Sequence, residues 1–191
     1  MHEGPLDMRM DTTQGITAEA WLASVDETSL KEVLSTYGEE RFSGRIARCI
    51  VEARQQVAIK TTKQLAEIIA NAVPFREKFK HPATRSFQAI RIQVNHELGA
   101  LKKTLEQSLR VLCIGGRMVV ISFHSLEDRI VKTFMRQASK GDVFPRGLPI
   151  QTSALNKRLQ LVGKAVKAGD DEVRHNVRSR SAILRIAEKI A

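Results

Sequence analysis

A short apolar run between two helical patterns constrains the fold more than any other segment. Residues 117–122 read Arg-Met-Val-Val-Ile-Ser, and the pair Gly115-Gly116 precedes them. Such a β-branched run, bounded by glycine, predicts a buried strand. Ser125 followed three residues later by Asp128 has the spacing of a helix N-cap, so a helix is expected to start there. This order of helix, glycine turn, strand, polar tip and helix favours an α/β fold.

Helical patterns fill most of the chain before this strand. Four helices are predicted from apolar residues at helical spacing and from capping patterns. Their predicted starts or ranges are Thr17, Asp26, residues 39–55, and Thr61 with its capping-box partner Gln64. One long helix is then predicted after Pro82, because apolar residues recur every three or four positions from Phe87 to Leu112.

The chain after the predicted strand is expected to contain more helix and strand. Gly141 is predicted to end the helix that starts at Ser125, and a loop is expected over residues 142–150. Residues 159–166 fit a strand or a helix, with a strand favoured. A short acidic helix capped by Asp170 and a final strand over residues 181–187 complete the prediction.

The composition favours a polyanionic partner. Lys and Arg total 31 and Asp and Glu total 21, which gives a net charge of +10. Neutralising phosphates with Lys or Arg releases counterions and therefore favours nucleic acid binding. The alternative is that the basic surface only promotes solubility.

Cysteine usage and hydropathy predict a cytoplasmic protein. Cys49 and Cys113 lie on apolar sides of helical patterns and are expected to be buried free thiols, as in a reducing compartment. No Cys/His spacing predicts a metal site. The longest apolar run, residues 118–121, is too short to span a bilayer, and the N-terminus does not have the pattern of a signal peptide.

The polar tip of the predicted strand is a candidate site wall. Ligands of open α/β sheets bind outside the carboxyl ends of the strands, where Ser122, His124 and Ser125 would lie. The amino end of the next helix would favour an anion at the same place. The alternative interpretation is structural, with Ser125 as an N-cap and His124 as a residue that hydrogen-bonds the loop.

A basic loop between two predicted helices is a candidate RNA contact. It lies within residues 74–85, between the helix that starts at Thr61 and the long helix. Its candidate residues are Arg76, Lys78, Lys80, His81 and Arg85. Contact with phosphates and an ordinary solvated surface are both compatible with this pattern.

Five ordered motifs resemble one family, the bacterial 16S rRNA (cytosine-N4)-methyltransferases called RsmH or MraW. They run from near the first residue to near the last. The motifs are Gly4-Pro5-Leu6-Asp7-Met8-Arg9-Met10-Asp11, Tyr37-Gly38-Glu39-Glu40-Arg41-Phe42, His81-Pro82-Ala83-Thr84-Arg85-Ser86-Phe87-Gln88-Ala89, Ile121-Ser122-Phe123-His124-Ser125-Leu126-Glu127-Asp128-Arg129 and Asn176-Val177-Arg178-Ser179-Arg180-Ser181-Ala182. In the last motif Val177 stands where the family has Pro. A weaker turn motif also matches, except that Ile114 replaces its usual Pro.

The resemblance implies a Rossmann-like domain that uses S-adenosylmethionine, with an inserted helical domain for substrate recognition. It implies methylation of N4 of a cytosine in the decoding region of 16S rRNA, so the small ribosomal subunit is the expected partner. Mapped here, residues 1–15 would be a loop after the first half of the catalytic domain. Residues 16–80 would be the helical insertion, and residues 81–191 the later half of the catalytic domain.

The family's methyl-donor motifs do not occur in these 191 residues. They comprise a glycine-rich loop after the first strand, an acidic residue after the second, and an Asp-Leu-Gly-Val-Ser-Ser-Pro-Gln segment. They are expected upstream of Met1 in a longer protein, so no cofactor-binding residue carries over. The candidates for lining the cleft are Asp7, Arg9, Asp11, Ser122, His124 and Ser125, with no catalytic role assigned to any of them.

The fold class expected from the resemblance is therefore an incomplete Rossmann-like methyltransferase domain, the later strands only, with an inserted helical domain. The strand at residues 117–122 would have an open edge, so the isolated chain is expected to be less stable or to associate through that edge. No oligomeric state is predicted. The alternative functions are a noncatalytic RNA- or ribosome-binding protein and a helical protein-interaction module.

Overall fold

The computed structural model describes residues 3–74, 81–141 and 156–191. In these ranges the chain is a mixed α/β protein with many helices and a small antiparallel sheet. The helices are α1 (Ala18–Ser24), α2 (Glu27–Gly38), α3 (Ser43–Gln56), α4 (Thr62–Ala72), α5 (Thr84–Asn95), α6 (Glu97–Val111), α7 (Ser125–Lys140) and α8 (Asp170–His175), followed by a 3-10 helix at Val177–Ser181. The strands are β1 (Arg117–Ser122), β2 (Leu159–Leu161), β3 (Val166–Lys167) and β4 (Ile183–Lys189).

The chain forms two compact units, Met1–Glu97 and Leu98–Ala191. Helix α5 belongs to the first unit because it packs on α1 and α2. This division falls after residue 97, whereas the segments proposed from the sequence meet at residues 15/16 and 80/81. Those segment boundaries remain a prediction about the family's domains.

The first unit is a helical cluster whose helix starts follow the predicted caps. Thr17 caps α1 and Asp26 caps α2, each through a side-chain oxygen that accepts a backbone N–H bond. Thr61 and Gln64 form the predicted capping box at α4. The core consists of buried aliphatic side chains, with Leu30, Leu34, Ile46, Ile50, Leu65, Ile69 and Ile90 among its members.

A glycine permits the close contact between α2 and α5. A Cβ atom added at Gly38 would lie 2.9 Å from the carbonyl oxygen of Arg85. A side chain at this position would therefore push the two helices apart.

Two breaks in the first unit correct the sequence prediction. Helix α3 begins at Ser43 rather than at residue 39, because Glu39 adopts a left-handed conformation with φ of 49° after α2. The predicted long helix is two helices, since His96 has a φ of 50° and ends α5 before α6 begins. Helix α5 itself begins at Thr84, two residues after Pro82.

The second unit is built on a sheet in which β4 pairs with three other strands. The order is β1-β4-β2, β3 also pairs with β4, and all three pairings are antiparallel. The predicted strand at residues 117–122 is confirmed as β1, and the predicted final strand is confirmed with bounds shifted to Ile183–Lys189. The core of this unit contains Leu105, Leu109, Met118, Val131, Met135, Ala138, Leu159 and Ala187.

The other face of this sheet is apolar and largely exposed. Val119 and Ile121 of β1 are 54% and 53% exposed, and Val166 of β3 is 54% exposed. In the antiparallel register they share a face with Leu184 and Ile186 of β4. In the described part of the chain β1 is an edge strand, with β4 as its one strand neighbour.

Several smaller predictions in the second unit are corrected. The strand favoured over residues 159–166 is present but divided into two short strands, because Gly163 turns the chain with a φ of 67°. Gly169 is the N-cap of α8, so Asp170 is its first helical residue rather than its cap. Cys113 is exposed rather than buried, and Cys49 is partly buried; both are free thiols.

Two further predictions concern the end of α7 and membrane insertion. The prediction that Gly141 ends α7 is confirmed. The loop predicted over residues 142–150 lies outside the described residues. In the described part of the chain, the helices are too short or too polar to cross a bilayer.

Candidate functional site

The tip of β1 is held by a reciprocal capping box between His124 and Glu127. The backbone N–H of Glu127 donates to Nδ1 of His124 at 3.4 Å. Oε2 of Glu127 accepts the backbone N–H groups of Phe123 at 2.9 Å and of His124 at 3.3 Å. The N-cap of α7 is therefore His124, and Ser125 is the first helical residue, which corrects the predicted cap.

This capping role defines the hydrogen-bonding state of the His124 ring. Because Nδ1 accepts a hydrogen bond, the ring proton of a neutral imidazole is assigned to Nε2. Nε2 is buried without a hydrogen bond in the described structure, at 3.4 Å from Oε1 of Glu127. The third predicted tip residue, Ser122, is 3% exposed and ends β1, and the neighbouring Phe123 is 54% exposed.

An ion pair fixes α7 on the sheet directly after the tip. Nε and Nη2 of Arg185 donate to the two carboxylate oxygens of Asp128 at 2.6 and 2.9 Å. Hydrogen bonding to Arg185 lowers the pKa of the Asp128 carboxyl below its usual value, although burial opposes this shift. The same pair raises the pKa of Arg185. Asp128 therefore orients α7 against β4 instead of supporting a cap at Ser125.

In the first unit, Asp7 and Arg9 are bonded to each other. Nε and Nη2 of Arg9 donate to the two oxygens of Asp7 at 2.7 and 2.9 Å, and Nη1 donates to the carbonyl groups of Gln14 and Gly15. The side-chain hydrogen bond from Arg9 lowers the pKa of Asp7. Asp7 is therefore ionised at neutral pH and is a weak proton acceptor. Its first role in this structure is to hold the loop together.

Asp11 stabilises a turn in the same loop. Oδ1 of Asp11 accepts the backbone N–H of Thr13 at 2.9 Å and its hydroxyl at 2.6 Å, and Gln14 donates to Oδ2 at 3.0 Å. The side-chain hydrogen bond from Thr13 makes the largest contribution to lowering the pKa of Asp11. The structure therefore places Asp7, Arg9 and Asp11 in one ordered loop.

Asn95 holds this loop from α5, and sequence reasoning missed it. Nδ2 of Asn95 donates to the carbonyl of Met8 at 2.8 Å, and Oδ1 accepts the backbone N–H of Met10 at 2.7 Å. Met8 has a φ of 63°, which is uncommon for a residue with a side chain. The asparagine thus stabilises a loop conformation that would otherwise be unfavourable. These two contacts join residues that are 85 and 87 positions apart in the sequence, so local patterns could not have revealed them.

The described residues of the basic loop have structural roles. Arg76, Lys78 and Lys80 lie outside the described residues. His81 is exposed, and its Nδ1 accepts the backbone N–H of Ala83 at 3.2 Å just before α5. Arg85 is partly buried on α5, where its carbonyl oxygen faces Gly38.

The predicted cleft residues thus form two separate groups. The loop residues Asp7, Arg9 and Asp11 belong to the first unit, and the tip residues Ser122, His124 and Ser125 belong to the second. Within each unit the structure brings the predicted residues together. Each group is ordered by its own hydrogen bonds, and the residues that order them include Asn95, Glu127 and Arg185.

Comparison with known proteins gives a consistent result along the chain. The profile of the MraW methylase family matches residues 1–190. The chain is 57% identical over 192 residues to a protein named ribosomal RNA small subunit methyltransferase H from Thioalkalivibrio sulfidiphilus. It is 58% identical over 191 residues to a protein of the same name from Methylococcus capsulatus.

These matches cover all of this chain and less than two thirds of each relative. The chain spans 61% of the length of the Thioalkalivibrio protein and 63% of the Methylococcus protein. The family profile, by contrast, matches nearly every residue of the chain. The chain belongs to the MraW methylase family.

Proposed function

We propose that this chain is part of an enzyme that methylates RNA of the small ribosomal subunit. The observation that carries the proposal is identity of 57–58% along the whole chain to two proteins named for that activity. Following the family resemblance, the reaction transfers a methyl group from S-adenosylmethionine to N4 of a cytosine in the decoding region of 16S rRNA. The enzyme would act in the cytoplasm.

The proposed chemistry requires the base to be positioned accurately. The lone pair of a cytosine amine is delocalised into the ring, so the amine must be oriented towards the methyl group. The base must also be held away from its stacking partners. We propose that the loop of Asp7, Arg9 and Asp11 in the first unit, and separately the tip of Ser122, His124 and Ser125 in the second unit, contribute to this positioning. Their hydrogen bonds keep both groups ordered before RNA binds.

We further propose that these 191 residues alone do not bind S-adenosylmethionine. In the described residues, β1 leads into a helix N-terminus that the His124–Glu127 box already caps. The carboxylate of Glu127 at this helix terminus would repel the carboxylate of S-adenosylmethionine. Gly115 and Gly116 precede β1, whereas a cofactor-binding glycine loop follows its strand. The residues described here therefore do not fit the donor.

We also propose that the sheet of the second unit is the later part of a larger Rossmann-like sheet. The edge position of β1 and its exposed face with Val119 and Ile121 support this idea. Under this proposal the first unit contains the helical insertion over residues 16–80. Residues 81–191 would then supply the final strands of the catalytic domain.

A methylation assay with two proteins tests the proposed function. The 191-residue chain and the longer Methylococcus relative are each incubated with unmethylated small subunits and S-adenosylmethionine, and 16S nucleosides are analysed by mass spectrometry. The relative is expected to produce N4-methylcytidine, and the chain alone is expected to produce none. Formation of a different methylated nucleoside by the relative would contradict the assignment of the substrate atom.

Calorimetric titration with S-adenosylmethionine tests the donor proposal separately. The Methylococcus protein is expected to bind the donor, and the 191-residue chain is expected to show no heat of binding. Micromolar affinity of the chain for the donor would show that the donor proposal is wrong.

A noncatalytic RNA- or ribosome-binding protein is the second candidate function. The net charge of +10 favours it, because RNA binding requires no donor site. It predicts that the 191-residue chain binds small subunits in a salt-dependent manner and remains inactive when the complementary part of a relative is supplied as a separate polypeptide. Recovery of methyl transfer in that mixture would favour the enzyme over this alternative.

A further inference from the structure

The second unit contains a basic groove that local sequence patterns do not predict. A cavity of about 340 Å³ lies between α7, β4 and the connection from β2 to β3. Five cationic side chains line it, and we call this feature the α7 groove. They are Lys132, Arg136 and Lys140 of α7, Lys164 of the connection, and Arg185 of β4, which is paired with Asp128.

Acidic side chains offset only part of this charge in the described structure: Asp128 is paired with Arg185 and interacts electrostatically with Lys132. The residues that line the groove include no Asp or Glu. Helix α7 has two acidic residues in its first turn, and both have other partners. Glu127 caps the helix, and Asp128 is paired with Arg185. A ligand with several negative charges would therefore meet a net positive potential.

The positions on α7 produce a linear array of charge. Lys132, Arg136 and Lys140 are four residues apart, so they follow one face of the helix at intervals of about 6 Å along its axis. All three side chains are exposed. The array continues on the solvent side of α7, where a second hollow of about 380 Å³ is lined by the same three residues and by Arg129. Repeated single charges at this spacing suit a chain of phosphodiesters better than one compact anion.

Apolar and polar groups complete the groove. Leu161, which is 48% exposed, lies among the cations, and the buried Met135 also lines the groove. A flexible polynucleotide can place ribose or base surface on Leu161 while its phosphates contact the rim. Ser139 also lines the groove, where its hydroxyl donates to the carbonyl of Arg136 at 3.0 Å.

We infer that the α7 groove binds the phosphate backbone of RNA. The inference rests on the proposed function and deepens it, because it locates an rRNA contact in the second unit, outside the basic loop of residues 74–85. The groove supplies affinity and orientation and does not read base identity.

Charge reversal with a matched control tests the groove. The probe is a fluorescein-labelled fragment of the 16S decoding region, bound to the 191-residue chain over a range of salt concentrations. The groove variant is Lys132→Glu, Arg136→Glu and Lys140→Glu. The control variant is Lys103→Glu, Arg110→Glu and Arg180→Glu, which changes three exposed cations of the same unit that do not line the groove. Both variants change the net charge equally, so long-range attraction is matched.

The groove variant is expected to bind the probe about 10- to 100-fold more weakly at moderate salt. The slope of log affinity against log salt concentration should be less negative by about 2, because three phosphate contacts are lost. The control variant should weaken binding much less and keep the slope. Thermal melting of both variants checks that they fold. A milder variant, Lys132→Gln, Arg136→Gln and Lys140→Gln, is also expected to make the salt slope less negative.

Three other outcomes are possible, and each would contradict a different part of the proposal. Equal weakening by the groove and control variants would overturn the groove while leaving the rRNA assignment intact. A wild-type chain that does not bind the probe would overturn the rRNA assignment together with the groove. If a polyglutamate peptide competes as well as unlabelled RNA of equal charge, the groove is a general polyanion site and the RNA inference is wrong.

Discussion

Asp128 of α7 and Arg185 of β4 form a bidentate ion pair, and their side chains are only 15% and 20% exposed. The pair joins residues 57 positions apart and fixes the helix that follows the polar tip to the strand at the centre of the sheet. The position of the tip therefore depends on a contact with the last strand of the chain.

Removal of one member of this pair should destabilise the second unit. Arg185→Leu leaves Asp128 without its partner in a mostly buried place, so the free energy of unfolding should fall by about 1–3 kcal/mol. Urea denaturation followed by circular dichroism measures the loss. Arg174→Leu is the control, because the Arg174–Asp171 pair is exposed and should contribute less than about 0.5 kcal/mol. Equal losses in the two variants would contradict the structural role of Asp128.

The same pair predicts a pH dependence of stability. The pKa of Asp128 is lowered in the folded protein, so its stabilisation is fully present above its unfolded pKa of about 3.9. This contribution is lost as pH falls below about 4, through the lower folded pKa. Asp128→Asn should therefore be less stable than wild type at pH 7, and the difference should shrink towards pH 2. Asp7, Asp11 and Asp26 also have lowered pKa values, but they are common to both proteins and cancel in the difference.

Substitutions at the tip should identify His124, and not Ser125, as the N-cap. His124→Ala should lower the free energy of unfolding by about 1 kcal/mol, whereas His124→Asn should restore most of it, because Asn is a good cap. Ser125→Ala should change it by less than about 0.5 kcal/mol. The measurement is again urea denaturation. In a full-length relative, loss of methyl transfer by the stable Asn variant at the matching position would reveal a role of the histidine beyond capping.

Asn95→Ala should loosen the loop of Asp7 and Arg9. It removes the bonds to Met8 and Met10, so a loss of about 1–2 kcal/mol is expected. Hydrogen exchange of the Met10 amide should become faster, because that group loses its acceptor. Gln93→Ala on the same helix is the control, since it removes no hydrogen bond to the loop. Unchanged protection of Met10 in the Asn95 variant would show that the loop is held by other contacts.

Two glycine substitutions should have opposite effects. Gly38→Ala places a Cβ 2.9 Å from a backbone oxygen of α5, and overpacking of this kind costs about 1–3 kcal/mol. Gly99→Ala on α6 meets no atom within 4 Å and should stabilise the chain by up to about 1 kcal/mol through helix propensity. Melting temperatures should therefore fall in the first variant and rise in the second. A rise in both would show that α2 and α5 are not in close contact at Gly38.

Local patterns predicted three helix caps and the strand that leads to the tip. Thr17, Asp26 and Thr61 act as caps because each capping bond is made within three residues, where sequence spacing is informative. The strand β1 was predictable because its composition and flanking glycines are local as well.

The failures have causes that are distant in sequence or leave no local signal. By residue type, Ser125 and Asp128 are a better capping pair than His124 and Glu127. In the structure, however, Arg185 binds Asp128, and His124 and Glu127 form the capping box. The break at His96 carries neither Gly nor Pro, and the apolar period continues across it, so one long helix was the natural prediction. The α7 groove depends on the folded position of the connection from β2 to β3, which residue spacing does not reveal.

The central position of β4 has a consequence for how this sheet can open. In the described sheet, the strands β1, β2 and β3 each pair with residues 183–189. Detachment of β4 would therefore break all the strand pairings of the described sheet at once. The backbone groups of β1, β2 and β3 would then be open to the wrong partner, so the described strands are expected to open as one cooperative element.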